Sequence, residues 1–251
     1  MHILLMLCPP YQESEGLVRI AMKLCTSLKG KITALCVRSD ITQKYYSPFS
    51  IQLGKIPEEE KKALKKIIKC LGEEVVMLKR GGAVASQVLD EAEKHYDLLL
   101  MKDTDKKLTK KIAEYSHIPT LIYRKGDKLE KILVCTDGSK HSSRAVKFAG
   151  MFAKGLEGEI TVLSVARENK EQKKREEAVN KAAEMLNQLS IKNVKKLIEG
   201  GQVRDVILQN ANHYDLVALA PRGLGKLERA LLGHVSLYVL ENAKTNVLLI
   251  R

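Results

Sequence analysis

"ILLMLCPPYQESEGLVRIAMKLCTSLKGKITALCV", residues 3–37, and "ILVCTDGSKHSSRAVKFAGMFAKGLEGEITVLSV", residues 132–165, are two versions of one pattern. Each opens on a short apolar run, passes a turn, continues with apolar residues at helical spacing and closes on a second apolar run. That succession reads as strand, helix and parallel strand. Further pairs keep the same order: "RGG" at 80–82 with "EGG" at 199–201, "HYDLLLM" at 95–101 with "HYDLVAL" at 213–219, and "IPTLIYR" at 118–124 with "KTNVLLIR" at 244–251. The chain is therefore a tandem of two related domains, 1–126 and 129–251, with the charged "KGDKLE" at 125–130 as linker.

Within each copy, short apolar runs alternate with longer amphipathic stretches, the mark of βαβ units around a parallel sheet. In the second copy strands are expected at 131–135, 159–165, 194–198, 215–220 and 246–250. A helix over 142–155 would be capped by its opening serines, bury Ala145, Phe148, Ala149 and Phe152, and end at Gly155. A second, over 171–189, would bury Ala178, Ala182, Met185 and Leu189. The expected fold is α/β: two tandem doubly wound, Rossmann-like domains, each a five-stranded parallel sheet flanked by helices. Ligands in such sheets sit beyond the carboxyl ends of the strands, where the connection order reverses.

Composition removes several alternatives. The formal charge is +13, but Lys and Arg exceed Asp and Glu to a similar degree in both halves, so no basic module stands apart. Aromatic residues make up 4% of the chain and Trp is absent, which leaves little to stack single-stranded bases on. Nucleic-acid binding is disfavoured. The five cysteines form no CxxC pair, and the apolar start is too short and too uncharged for a signal peptide or a membrane span. A cytoplasmic protein is expected. No histidine pair has HxxxH or HExxH spacing, so neither a metal site nor a catalytic residue is assigned. The run "EEEKKALKKIIKCLG" at 58–72 reads as a solvated face over Ala63, Leu64, Ile67, Ile68 and Leu71, with a basic membrane-binding helix as its rival.

The distinctive residues lie at two strand ends of the second copy. The first strand ends in "CTDGS" at 135–139, and the fourth in "APRGLGKLERALLGHVS" at 220–236. Gly223 and Gly225 allow a sharp turn, and a helix starting near Lys226 would aim unsatisfied N–H groups at the same place. Arg222 and Lys226 add positive charge. Neither the P-loop nor the GxGxxG pattern is met, so a phosphate site and an ordinary strand-to-helix turn both fit these residues. Asp137 has two readings as well, a cap for the following helix or a ligand contact.

Both copies resemble the universal stress protein domain. In its nucleotide-binding members an Asp follows the first strand, and a later motif reads Gly, two residues, Gly, nine residues, Gly, then Ser or Thr. Here Asp137, Ala220, Gly223, Gly233 and His234 occupy those places, with Ala220 and His234 departing from the residue types. The resemblance implies that Thr136 and Asp137 line an adenosine pocket, that Val165 meets adenine through its main chain, and that Gly223, Gly233, His234, Val235 and Ser236 surround the phosphates. Arg222 is added as a phosphate partner on charge and position. The implied ligand is ATP or a related adenine nucleotide, with Mg²⁺ held through the phosphates. The implied role is stress-response regulation with at most weak ATP hydrolysis. The alternative is a scaffold of the same fold that binds no nucleotide.

The first copy has lost these features. Cys8 stands at the place of Asp137, followed by two prolines, and "DTDKKLTKKIAEYSH" at 103–117 replaces the longer segment at 221–244. No nucleotide is expected there. "DKKLTKKI" is either a solvated helix face or a partner surface. The first copy's expected role is to complete an internal pseudo-dimer through the last strands, 120–123 and 246–250, and a homodimer of the whole chain is compatible with this.

Overall fold

The computed structural model describes residues 1–8, 11–38, 45–46, 58–71, 76–81, 83–126, 129–191, 194–221 and 232–251. The chain divides into two compact units, Met1–Tyr123 and Arg124–Arg251.

In the first unit the strands are β1 (His2–Leu7), β2 (Lys31–Arg38), β3 (Tyr45–Tyr46), β4 (Val76–Gly81), β5 (Leu98–Lys102) and β6 (Thr120–Tyr123). The helices are α1 (Glu15–Ser27), α2 (Glu58–Leu71), α3 (Val84–Ala92) and α4 (Lys106–Tyr115). The strand order is β3-β4-β2-β1-β5-β6. Five strands form the expected parallel sheet, but β3 adds an antiparallel edge, with Tyr45 opposite Lys79 and Tyr46 opposite Leu78. This corrects the expectation of five strands. A two-residue strand is too short to show a period.

The second unit holds β7 (Lys131–Cys135), α5 (Lys140–Leu156), β8 (Glu159–Ala166), α6 (Gln172–Gln188), β9 (Lys195–Gly200), α7 (Val203–Ala211), β10 (Leu216–Leu219), α8 (His234–Asn242) and β11 (Asn246–Leu249). Its order is β11-β10-β7-β8-β9, all parallel. The chain runs outward from β7 through β8 to β9, then returns to β10 on the other side of β7. The order therefore reverses at β7.

The strands are apolar without alternation because both faces of a parallel sheet are covered. Ile3, Leu4, Leu5 and Leu7 are fully buried, as are Ile132, Leu133 and Val134. Each such side chain contributes roughly 1.5–3 kcal/mol through burial. In α2, Leu64, Ile67 and Leu71 are buried beneath a charged surface, so its apolar stripe is core. Among the described residues no helix is long and apolar enough to cross a membrane.

Two helices differ in detail from the sequence reading. Ser139 caps α5, its Oγ accepting from Ser142 N at 3.1 Å, so the serines at 142 and 143 lie inside the first turn. The helix runs past Gly155, and Glu157 makes the left-handed turn with φ 56°. In α6 the buried stripe is Ala178, Val179, Ala182, Ala183 and Leu186, leaving Met185 and Leu189 half-buried. The stripe includes one charged residue, Arg175.

Arg124 and Lys125 are tied into the second unit. Arg124 donates through Nη1 to Ala243 O and Thr245 O, at the end of α8, where a cation favours the exposed carbonyls. Buried Asn246 donates to Asp215 O and Lys125 O and accepts from Arg124 N, fixing the start of β11.

Candidate functional site

A cavity of about 500 Å³ opens at the carboxyl ends of β7, β8 and β10. This is the place where the strand order reverses. Thr136, Asp137, Val165, Ala220, Gly233, His234, Val235 and Ser236 all line it. Arg222 and Gly223, together with Gly225 and the helix start expected near Lys226, lie outside the described residues.

One wall is built by the turn after β7. Thr136 N donates to Leu163 O at 2.8 Å, and Ser164 Oγ donates to Thr136 O at 2.7 Å, which holds this turn against β8. Thr136 Oγ1 accepts from Gly138 N at 3.2 Å, and Asp137 Oδ1 accepts from Ser139 N at 3.0 Å. Gly138 has φ +82°, a conformation that a side chain would strain. "TDGS" is thus a self-bonded turn. Asp137 supports the turn and lines the cavity, while the cap of α5 is Ser139, which corrects the reading of Asp137 as the cap of that helix.

The opposite wall is the start of α8. Gly233 is its N-cap and Ser236 sits in the first turn, where Ser236 Oγ donates to Ala220 O at 2.7 Å. That bond ties the end of β10 to the helix. The first-turn amides of a helix have no acceptor within it and carry a partial positive charge, which suits an anion. Ala220 is not among the residues with positive φ, so its methyl group replaces a glycine hydrogen without backbone strain. His234 is exposed, while Ser236 is buried. The His234 departure therefore alters a side chain at the rim and leaves the helix amides in place.

Leu163, Val165, Val203, Ile207 and Leu219 supply an apolar lining. Cys135 lines the cavity too, but burial pushes its thiol far up, so it is no thiolate at neutral pH. The sequence reading missed a group at the β8 side, made of Arg167, Glu171 and Arg175. Glu171 Oε2 accepts from Arg167 N at 2.9 Å and pairs with Arg175 Nη2 at 3.2 Å. These bonds, the backbone one first, hold the Glu171 carboxyl below its usual range. Arg175 Nη1 also donates to Asp137 O at 3.2 Å. A usable signal was present, since Arg175 precedes Ala178 by three positions and so continues the apolar stripe of α6.

The lining thus combines an apolar slot, a carboxylate, a buried guanidinium and a helix start. Such a set binds a ligand with an apolar body and an anionic end. Among the described residues no cluster of His, Cys, Asp and Glu could hold a metal ion.

Residues 128–251 match the model of the Universal stress protein family. Universal stress protein MJ0531 of Methanocaldococcus jannaschii is 29% identical over 153 residues, covering 54% of this chain and 90% of that protein. Two crystal structures resemble the chain along nearly its whole length. A universal stress protein from Archaeoglobus fulgidus has a TM-score of 0.68 at 18% identity, covering 99% of this chain and 96% of its own. A putative universal stress protein from Pseudomonas aeruginosa has a TM-score of 0.70 at 15% identity, covering 99% and 92%. At these identities the likeness is one of fold. The cytoplasmic domain of a prokaryotic cation chloride cotransporter shares that fold, with a TM-score of 0.60 at 12% identity, covering 99% of this chain and 94% of its own.

Proposed function

From a chain whose second half is a universal stress protein domain, we propose that this half binds one adenine nucleotide, ATP or a relative, and acts as a nucleotide-responsive regulator. The observation that carries the reading is convergence. Eight residues picked from three separate stretches of sequence line one cavity. Its volume, about 500 Å³, lies within the roughly 300–1,000 Å³ usual for small-molecule sites.

In this reading the base occupies the apolar slot against Val165 and Leu163, and the ribose lies near Asp137. The phosphates meet the first-turn amides of α8 and Ser236, with Gly223 and Arg222 as the sequence motif supplies them. Any Mg²⁺ is held through the phosphates. The proposed work of the site is binding, with hydrolysis at most slow.

The test is nucleotide-induced thermal stabilisation of the full chain. Ligand at a hundred times its Kd adds about 2.7 kcal/mol. Asp137→Ala and Gly223→Val are expected to abolish the shift, and an unchanged shift removes the assignment. A scaffold without a nucleotide is the second reading, favoured by the departures at Ala220 and His234. Chromatography of any nucleotide released from the purified protein separates the two. A protein that carries none and ignores added ATP is the scaffold.

A further inference from the structure

Among the described residues two buried side-chain polar atoms have no partner, Ser14 Oγ and Arg175 Nε. Only Arg175 lines the cavity. The residue is 8% exposed, and its guanidinium is held by two bonds, Nη1 to Asp137 O and Nη2 to Glu171. A guanidinium offers five donors in a rigid fork, and burying one of them unmet is costly. Nε is the one guanidinium nitrogen that these contacts leave without a partner.

Two features decide what it would meet. The charge of Arg175 is already matched by Glu171 at 3.2 Å, whose carboxylate would repel a phosphate placed beside it. Both anchors, Asp137 and Glu171, follow β7 and β8, whereas the amides suited to phosphate belong to α8, which follows β10. We infer that Arg175 is a ligand-contacting residue for the nucleoside end of the bound molecule, its Nε–H donating to a neutral acceptor such as a ring nitrogen, an exocyclic carbonyl or a ribose oxygen. The inference rests on the nucleotide reading and deepens it. The Glu171 pairing fixes the orientation of the donor, and the bond to Asp137 O couples it to the "TDGS" turn.

The test uses the full chain labelled with ¹⁵N-arginine, the Arg175 Nε–H resonance being assigned through bonds. Adenosine and ATP are expected to move this resonance alike, and inorganic tripolyphosphate to leave it in place. Arg175→Lys keeps the charge and removes the Nε donor. It is expected to weaken adenosine and ATP by the same factor, about tenfold or more. A resonance unmoved by either ligand while ATP binds overturns the inference and leaves the nucleotide reading standing. Movement with tripolyphosphate, or an Arg175→Lys loss confined to ATP, assigns the residue to phosphate and overturns it equally. If the unsubstituted protein binds no adenine compound, both fail together. The spectra of the unsubstituted protein decide even if Arg175→Lys does not fold.

Discussion

At the ends of β7, β8 and β10 the second half leaves a cavity; at the matching ends of β1, β2 and β5 the first half presents side chains bonded to one another. Tyr11 is fully buried there, its hydroxyl 2.9 Å from Cys36 Sγ near the end of β2. Lys102, which takes the place of Ala220 in the repeat, forms an ion pair with Glu13. Cys8 stands for Asp137, and burial together with Cys36 pushes its thiol up to about 12, so it is uncharged at neutral pH. The sheet and helices persist in both halves while the chemistry of the rim changes. One fold thus carries two different rims, which is why function must be argued from the rim and not from the sheet.

The largest expected effect falls on the first half. Tyr11→Ala removes a buried ring and is expected to cost about 3–4 kcal/mol in denaturant unfolding, without giving the first half any nucleotide affinity. A cost below about 1 kcal/mol would show that the ring does not fill that rim. Next, Asp137→Ala is expected to remove the whole ligand-induced gain, about 2.7 kcal/mol at a hundred times Kd, while Cys8→Ala leaves that gain unchanged. The pair of calorimetric scans tests the asymmetry directly.

Smaller effects sharpen the contrast. Ser236→Ala deletes the bond that joins α8 to Ala220, and about 1 kcal/mol of stability is expected to go with it. Equal stability would show that the helix start is held without it. Smallest is the pH response of Glu171. Its carboxyl is lowered in the folded state, so its contribution is present above the ordinary carboxylate range and is lost as pH falls through the folded value. The stability difference between the protein and its Glu171→Gln variant is expected to vanish in acid, and a difference independent of pH contradicts this.

Most of the framework was legible because duplication repeated its signals. The apolar runs of β7 and β10 and the stripe of α5 recur at matching places in β1, β5 and α1, and a parallel sheet makes such runs continuous. Limits were blurred where caps compete, as at Ser139 against Ser142, and β3 was too short to show. At the cavity, Asp137 stood out at the end of an apolar strand run, whereas Thr136 and Ser236 were assigned through the family resemblance. Arg175 and Glu171 were passed over, because charges on or beside an amphipathic helix usually face water. Arg175 is distinguished by its place on the buried side of α6, whereas half-buried Glu171, just before that helix, carries no such signal.

The most direct measurement is the stoichiometry of ATP bound to the full chain in equilibrium dialysis. One nucleotide per chain, falling to none in Asp137→Ala, is the expected result. Two per chain, or one that survives Asp137→Ala, would contradict the division of labour between the halves.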